Sequence, residues 1–538
     1  MAQPVSSSLL SPWLSYGAAS VAPQALLVAV FVALLVAAAR AAMRPSREML
    51  ALGRIPSPPG LPVIGHLHLV GALPHVSLRD LAARHGPDLM LLRLGQVPNL
   101  VASSPRAAEA VLRARDHVFA SRPFNPLADV LAYGLLDVGF APYGERWRQA
   151  KKLLTTHLLT ARKVRSFRGA REAEVRLAVA TVRAAAAAGG GEAVDLTALL
   201  RAYANDVMCR AVSGGFFFEG GRNRLIPELT DVVKDVFGAF KPQDYFPALA
   251  RVDVFSRSSL VKAKALRNRW DDLFDTLIDF HVRRPPRHHG GDDNDGEVEE
   301  EDESDFIDVM LSLKDEYGLT RDRIKAILMN MFNAGTDTTY LVHEFTMAEL
   351  MRHPHAMAKL QTELRSKISK GESEILTEDD DLNNMAYLKA VIKETLRLHP
   401  PGPLFLPHLN TADCEIMGYM NPAGTTVMIN AWSIGRDPRF WENPEEFMPE
   451  RFLDGGHATA VEYKGQDFNY IPFGSGRRMC PGVNFGIASL EIMLANLLYH
   501  FDWEVPGGKG KDGIDMTEKF GVTVHRKAKL VLIPKHKP

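Results

Sequence analysis

The chain has 538 residues, of which 46% are hydrophobic and 24% are charged, as in ordinary globular proteins. Its formal net charge of −1 gives no indication of nucleic-acid binding. The cysteines, Cys209, Cys414 and Cys480, are too few and too scattered for a disulfide framework, and they fit a reducing, cytosol-facing environment.

The N-terminus carries an uncharged apolar segment. The first 39 residues contain no Lys, Arg, Asp or Glu, and Ala25–Ala39 is continuously apolar. A helix needs about 20 apolar residues to cross a bilayer, and a weaker extension back to Val21 makes this segment just long enough. A cleaved signal peptide is the alternative, but such a peptide normally begins with positive charges, which here follow the segment in the arginines of 40–54. The positive-inside bias therefore predicts an uncleaved membrane anchor over residues 1–40, with the rest of the chain in the cytoplasm.

A basic, proline-rich linker over residues 41–65 follows the anchor. Because proline fixes φ and removes a backbone donor, PSPPGLP predicts a stiff, extended strap, although an ordinary proline-rich linker is equally compatible with it. Helical patterning then dominates from Val76 to about residue 400. Short strands are predicted at Leu89–Leu94, Thr425–Ile429 and Lys529–Ile533, which makes the chain mainly α with small β-sheets.

Residues 288–305, HHGGDDNDGEVEEEDESD, are acidic and of low complexity. Such a segment cannot bury apolar area, so a solvated, disordered loop is predicted there. An acidic interaction tail is the alternative interpretation.

The cysteine in FGSGRRMCPG is the strongest candidate for a functional residue. Pro481 suits the first position of the helix predicted after Cys480, so the sulfur is expected at a helix N-terminus, where amides and the helix dipole lower its pKa. A thiolate can be a nucleophile or a metal ligand, but neither a base nor further Cys or His ligands are visible in this segment. A single thiolate is sufficient if a porphyrin supplies the other ligands.

Phe473, Gly476, Arg478, Cys480 and Gly482 fit the pattern F-x-x-G-x-R-x-C-x-G, the signature of the cytochrome P450 family, which the chain resembles from the strap to its end. The resemblance implies the cytochrome P450 fold behind an N-terminal transmembrane helix, with residues 66–538 as one catalytic domain. It also implies that haem b (iron protoporphyrin IX) is bound through Phe473, Arg478, Cys480 and Gly482, with Cys480 as the iron ligand. Electrons from NADPH would arrive through a reductase.

The motif AGTDTT, Ala334–Thr339, lies inside a helical pattern running from about Thr320 to His353. One account is a Thr hydroxyl bonded to a carbonyl one turn earlier, with Gly335 serving close packing. In the family this motif is the oxygen-activating stretch. The resemblance therefore implies that Asp337 and Thr338 relay protons during oxygen activation and that Gly335 lets the helix open.

The motif KETLRLHP places Glu394 and Arg397 three residues apart, on one face of a helix. A weak surface ion pair is one reading of this spacing. In the family the pair is buried and joined by the arginine of a later PERF motif, here Arg451. The resemblance thus implies a structural role for these three residues.

Further contacts are carried over from the family residue by residue. WRQAK resembles the haem-propionate contact, which implies that Trp147 and Lys151 bind the cofactor, as does His408 in GPLFLPHLN. A packed helix aromatic is the alternative for Trp147. The family's pocket regions imply substrate contacts for Phe124, Asn333, Ala334, Leu404 and Phe520, although core packing explains the same composition.

The sequences of several stretches are similar to those of plant microsomal members. The stretch LKAVIKETLRLHPPGPL is similar to the sequences of grass enzymes that hydroxylate indole-derived intermediates of benzoxazinoid defence compounds. The resemblance implies a haem-thiolate monooxygenase in the endoplasmic reticulum membrane, single-pass, with its catalytic domain facing the cytoplasm. It would use O2 and NADPH–cytochrome P450 reductase to hydroxylate a small lipophilic metabolite, with an indole-derived compound of the indolin-2-one type as the expected substrate. The partners expected are that reductase, membrane lipid and the small molecules, and no nucleic acid.

Three alternatives stay open at this point. One is a monooxygenase of another plant metabolite, such as a terpenoid. Another is a haem-thiolate isomerase or dehydratase, against which the acid–Thr pair of AGTDTT argues. A non-catalytic haem sensor or electron carrier, which needs neither the anchor nor the relay helix, belongs to a different class.

Overall fold

The computed structural model describes residue 30 and residues 52–187, 191–238, 242–246, 249, 253–284, 304–367, 375–377, 382–508 and 510–536. The predicted anchor, apart from residue 30, lies outside these residues, as do the first part of the linker and nearly all of the acidic segment. Within the described ranges, no helix combines the length and the apolar character needed to cross a membrane.

Helices make up most of the described chain. In chain order the α-helices are α1 (Pro74–His85), α2 (Pro105–Glu109), α3 (Asp116–Phe119), α4 (Pro126–Leu131), α5 (Glu145–Leu153), α6 (Ala161–Ser166), α7 (Arg168–Ala187), α8 (Leu196–Ser213), α9 (Leu225–Gly238), α10 (Pro242–Tyr245), α11 (Asp253–Arg283), α12 (Phe306–Ser312), α13 (Arg321–Arg352), α14 (Pro354–Lys367), α15 (Ala386–Leu398), α16 (Ala431–Ile434) and α17 (Val483–His500).

The strands are short and form small sheets. They are β1 (Leu89–Leu94), β2 (Val97–Ala102), β3 (Val194–Asp195), β4 (His408–Leu409), β5 (Cys414–Ile416), β6 (Tyr419–Asn421), β7 (Thr426–Ile429), β8 (Phe501–Glu504), β9 (Glu518–Phe520), β10 (Val524–Arg526) and β11 (Val531–His536). The largest sheet has the order β1-β2-β7-β4, with β2 parallel to β7 and the other pairs antiparallel. A second has the order β3-β11-β8, and β5-β6 and β9-β10 are two-stranded.

Helix α13 forms the centre of the helical part. Thr320 caps its start by accepting from the amide of Arg323 at 3.3 Å, and Pro354 follows its end, where a helix cannot continue. The helix packs against α8, α15 and α17, and most of its side chains are buried. It therefore runs through the main hydrophobic core, and any polar residue on it must find a partner inside the protein.

The predicted elements fit the structure closely where the pattern is local. The long helix from Thr320 to His353 is α13, and the strand at Leu89–Leu94 is β1. The other two predicted strands exist but begin one and two residues later than predicted, as β7 and β11. The chain is mainly α with small β-sheets, as predicted.

Candidate functional site

The turn that carries Cys480 is held by backbone contacts. Gly476 adopts a φ of +67°, and a Cβ there would lie 2.0 Å from the carbonyl oxygen of Leu112, so only glycine fits. The amide of Cys480 donates to the carbonyl of Phe473 at 2.9 Å. Arg477 pairs with Asp116 at 2.5 Å, 361 residues earlier in the chain. The turn is thus fixed from both sides, against the N-terminal third of the chain and against its own start.

Cys480 is the accessible member of the three cysteines, because Cys209 is buried and Cys414 half-buried. Protein nevertheless surrounds the sulfur: desolvation raises the pKa of the Cys480 thiol, although the Gly482 amide, 3.4 Å from Sγ, and Lys151 act in the opposite direction. The sulfur therefore lies on the wall of an internal cavity.

The predicted lowering of this pKa is wrong for two reasons. The helix begins at Val483 with Gly482 as its N-cap, so Pro481 is not its first residue. Cys480 lies before the N-cap, outside the first turn, where the helix dipole acts most strongly. In addition, the cost of burying a charge outweighs one long amide contact. A metal ion bound to the sulfur would reverse this balance, since a coordinating thiol is deprotonated.

Four cationic or potentially cationic side chains cluster near this turn. Arg478 lies over the ring of Trp147, with its Cζ 4.3 Å from the ring centroid, and it donates to the carbonyls of Ala120 at 2.6 Å and Val138 at 3.1 Å. The indole Nε1 of Trp147 donates to the same Val138 carbonyl at 3.0 Å. The other members of the cluster are Lys151, whose Nζ contacts the Met479 carbonyl, His408, whose Nδ1 contacts the Phe119 carbonyl at 2.8 Å, and Arg122, which donates to the carbonyls of Leu406 and Pro407.

Each of these groups is desolvated. Burial lowers the pKa of Arg122 to about 9, that of Arg478 to about 10 and that of Lys151 to about 8. The pKa of His408 is also lowered by burial, and then by the charge of Arg122. Asp137 is the carboxylate beside Arg122 and Arg478, and its own pKa is raised by burial.

The donor set fits a haem. Cations buried with too few anions are stabilised by a ligand that brings carboxylates, and the two propionates of a haem do so. Cys480 would bind the iron, and Trp147, Lys151, Arg478 and His408 would surround the propionates. Arg122, which was not among the predicted site residues, belongs to the same set; it lies in the sequence FASRP, Phe119–Pro123, which is similar to that of plant microsomal members and was the only signal for it.

Two further predicted cofactor residues have structural contacts. Phe473 meets Tyr463 edge-on, with ring centroids 5.8 Å apart, and packs against the main core. Gly482 is the N-cap of α17, and a Cβ there would be 3.8 Å from the cysteine sulfur. Phe473 thus anchors the start of the turn, and Gly482 closes it.

The face of α13 that carries Asn330, Asn333, Ala334 and Asp337 borders the site. These positions share one face because they are spaced three, four and seven residues apart. Ala334 is exposed in the middle of a buried helix, so this face lines an internal space. At one end of the face the Asn330 side chain accepts from the amides of Val138 and Gly139, at 3.0 and 3.1 Å, and holds their loop against the helix.

The structure does not pair Asp337 with Thr338. The Thr338 hydroxyl donates to the Ala334 carbonyl at 2.7 Å, whereas Asp337 is buried against Lys234 and Thr523. Helix α13 is continuous through this motif. Gly335 packs closely against α8: a Cβ there would lie 2.2 Å from Cε of Met208, the movable end of a flexible side chain.

Glu394, Arg397 and Arg451 meet in the core, where the side chains of Glu394 and Arg397 are fully buried and that of Arg451 is 1% exposed. The Glu394 carboxylate accepts from Arg397 at 2.7 and 2.8 Å and from Arg451 at 3.0 Å. Both guanidinium groups also donate to carbonyls in residues 435–446. The cluster therefore ties α15 to the segment that leads to Cys480.

The predicted substrate residues are spread over different surroundings. Asn333 donates to the Met329 carbonyl at 2.8 Å, and its buried Oδ1 has no hydrogen-bond partner among the described residues. Leu404 and Phe520 belong to the core cluster around Leu78. Phe124 is 69% exposed, so it is not enclosed as a pocket residue would be. The structure thus brings Asn333 and Ala334 together on one helix face.

Comparison with known proteins identifies relatives over most of the chain. The profile of the family described as Cytochrome P450 matches residues 55–533. Two maize (Zea mays) proteins, an indole-2-monooxygenase and an indolin-2-one monooxygenase, are 55% and 54% identical to this chain, covering 90% and 89% of it and 88% of each relative. A maize 3-hydroxyindolin-2-one monooxygenase is 50% identical, over 93% of this chain and 92% of the relative.

A solved structure shares the fold. It is that of a zebra fish cytochrome P450 with progesterone, which superposes with a TM-score of 0.70 at 24% identity and covers 86% of this chain and 100% of the other. At that identity the likeness shows the fold alone.

Proposed function

This chain belongs to the cytochrome P450 family and is a haem-thiolate monooxygenase, and from that premise we propose that its substrate is a small, flat, indole-derived metabolite of the indolin-2-one type. The names of the three maize relatives support this substrate class. Relatives named as monooxygenases also favour an enzyme over the haem sensor or electron carrier left open above. The observation that carries the reaction type is the accessible Cys480 sulfur beside three desolvated cations, Arg122, Arg478 and Lys151.

A stacked aromatic pair supports a flat substrate. Phe140 and Phe237 stack with ring centroids 5.4 Å apart and an interplanar angle of 13°. Phe140 follows the loop held by Asn330, and Phe237 is on α9, which is tied to α13 by the ion pair of Lys234 with Asp337. The pair thus connects the loop to α9. Such a planar apolar surface suits stacking by an aromatic ring.

The chain's own residues have distinct roles in the proposal. A bound haem would supply the oxygen chemistry, namely insertion of one atom of O2 into a C–H bond and release of the other as water, at the expense of two electrons and two protons. Cys480 would bind the iron and donate electron density to it. Arg478, Lys151 and Trp147 would hold the propionates, and Asn333 would offer its unpaired Oδ1 to a donor on the substrate. Asp337 and Thr338 move protons.

The membrane anchor and the location are part of the proposal. The uncharged apolar segment ending at Ala39, followed by arginines, supports a single-pass anchor in the endoplasmic reticulum membrane with the catalytic domain in the cytoplasm. The family uses a reductase as redox partner, and we propose that NADPH–cytochrome P450 reductase in the same membrane delivers the electrons.

A substrate screen tests this function. The full chain, reconstituted with reductase and NADPH, is incubated with indole, indolin-2-one and 3-hydroxyindolin-2-one, with a monoterpenoid as control. We expect one of the indole compounds to give a substrate-binding difference spectrum and a product heavier by one oxygen atom, and Cys480→Ser to give neither. Turnover of the terpenoid alone would contradict the substrate class, and turnover by the Ser variant would contradict the thiolate site.

A further inference from the structure

The two oxygens of Asp337 have different partners on different elements. Oδ1 lies 2.5 Å from Nζ of Lys234 on α9, and Oδ2 accepts a hydrogen bond of 2.5 Å from Thr523, which precedes β10. The carboxylate is only 6% exposed. It therefore joins α9, α13 and the C-terminal β9-β10 hairpin at one point.

A directed series of hydrogen bonds reaches Oδ2 from the hairpin. Thr523 Oγ1 lies 2.9 Å from Nε2 of His525, and Nδ1 of His525 lies 3.1 Å from the hydroxyl of Tyr340. If Tyr340 donates to Nδ1, then Nε2 carries the proton and donates to Thr523, whose hydroxyl is free to donate to the carboxylate. The tautomer of His525 with its proton on Nε2 thus satisfies every hydrogen bond of this series, and it is assigned from the network.

Both ends of this arrangement reach solvent. The side chain of His525 is 22% exposed and that of Lys234 is 21% exposed. Asp231, 48% exposed, lies 3.2 Å from Lys234 and also binds Arg201 at 2.6 Å. The other charged or titratable groups facing this centre are Lys519, Glu344 and Tyr340. Protons can therefore exchange with water at His525, while Lys234 keeps the carboxylate charge balanced.

The side chains of Asp337 and Thr338 are adjacent in the chain but bind different partners. With the Thr338 hydroxyl donating to Ala334 and Asp337 bound to Lys234 and Thr523, no hydrogen bond connects the two side chains. In the proton-moving role proposed above, Asp337 therefore receives its proton on the hairpin side, where Thr523 contacts it. The residues that hold it and supply it are then part of the reaction.

We propose that Lys234, Thr523 and His525 are positioning residues that hold Asp337 away from Thr338, and that Thr523 and His525 carry protons from solvent to Oδ2 of Asp337. The proposal rests on the proton-moving role of Asp337 given above. His525 takes a proton from water at Nδ1 as the Tyr340 hydroxyl turns to accept. The Nε2 proton passes to Thr523, and the Thr523 hydroxyl proton passes to Asp337. The imidazole is left neutral in its other tautomer, and the carboxylate becomes a carboxylic acid.

Substitutions of Thr523 and Lys234 in the full-length haem protein test the two roles separately: proton transfer to Asp337, and the ion pair that holds it. Thr523→Val removes the hydroxyl at nearly constant volume, and we expect the product formed per NADPH to fall by about tenfold, with hydrogen peroxide rising in its place. The solvent deuterium isotope effect on product formation rises as well, while KM stays unchanged. Thr523→Ser keeps the hydroxyl and restores coupling. Thr346→Val is the matched control, since it removes a buried hydroxyl of α13 that only bonds to Val342.

Lys234→Met tests the ion pair without any turnover. In the resting protein we expect hydrogen–deuterium exchange within α9 to accelerate severalfold, because the link from this helix to α13 is lost. Lys234→Arg restores slow exchange. In turnover, the pH dependence of coupling changes in the Met variant, since the cation that lies 2.5 Å from Oδ1 of Asp337 is lost.

The outcomes distinguish this inference from the proposed function. If no indole compound is converted, the substrate assignment fails, but exchange in α9 still tests the ion pair. Equal coupling and equal isotope effects in Thr523→Val and Thr346→Val would overturn the proton route. Unchanged exchange and an unchanged pH profile in Lys234→Met would overturn the holding role.

Discussion

Replacing Glu394 with Gln is the sharpest test of the buried charge cluster. The substitution keeps the shape of the side chain but leaves the guanidinium groups of Arg397 and Arg451 without an anion, in a place where these side chains are 0% and 1% exposed. Breaking a buried ion pair by neutralising one partner costs about 3–5 kcal/mol. Near the middle of that range the ratio of folded to unfolded protein falls on the order of a thousandfold.

The assay is urea denaturation of the full-length haem protein, followed by the absorbance of the bound cofactor. We expect a much lower midpoint for Glu394→Gln, since the carboxylate also accepts from the Met448 amide at 2.8 Å and holds the segment leading to Cys480. Glu228→Gln is the control, because Glu228 and Arg269 form an exposed pair, 2.9 Å apart, worth less than about 1 kcal/mol. Adding Arg451→Met to Glu394→Gln should recover part of the loss, because fewer cations are left unpaired. If Glu394→Gln unfolds at the same urea concentration as the control, the reasoning about buried charge is wrong here.

Gly335→Ala should change the free energy of unfolding by less than about 1 kcal/mol, because the flexible end of Met208 can move aside and alanine is favoured over glycine in a helix by about 1 kcal/mol; a much lower thermal midpoint would show that Met208 cannot move. Burial opposes the charge on His399, but hydrogen bonds to the buried Glu349 and to the half-buried Glu518 outweigh it and raise the pKa of His399 above 6.5. The stability gained from this charge is complete below pH 6.5 and is lost as pH rises through the higher folded-state pKa. His399→Asn should therefore make the urea midpoint depend less on pH above 6.5, and an unchanged dependence would count against this explanation. Thr338→Ala should divert NADPH from product to peroxide while Thr338→Ser retains coupling, and unaltered coupling in the Ala variant would exclude Thr338 from proton transfer.

The parts of the molecule that sequence reasoning predicted well depend on local pattern. The extent of α13 follows from its periodicity, its Thr320 cap and the proline behind it. The turn around Cys480 follows from glycine positions that only a tight backbone needs. Both signals are contained within a few dozen residues.

What the sequence could not supply depends on contacts between distant segments. Thr523 is 186 residues from Asp337, and no spacing rule connects a C-terminal hairpin to a central helix. The raised pKa of Cys480 is a further case, because desolvation depends on everything packed around the sulfur. Local reasoning identified the sulfur and the acid, but not the surroundings that set their protonation.

The contact of Arg477 with Asp116 has a consequence for biosynthesis. These residues are 361 positions apart, so at about 5–20 residues per second the ribosome needs roughly 20 to 70 seconds to make the second after the first. Throughout that interval the helices near Asp116 lack the Cys480 turn and the helix α17 that are made later. Their apolar surfaces are exposed and can associate with other proteins. We expect chaperones to attend the nascent chain, and cofactor insertion to wait until translation is nearly complete.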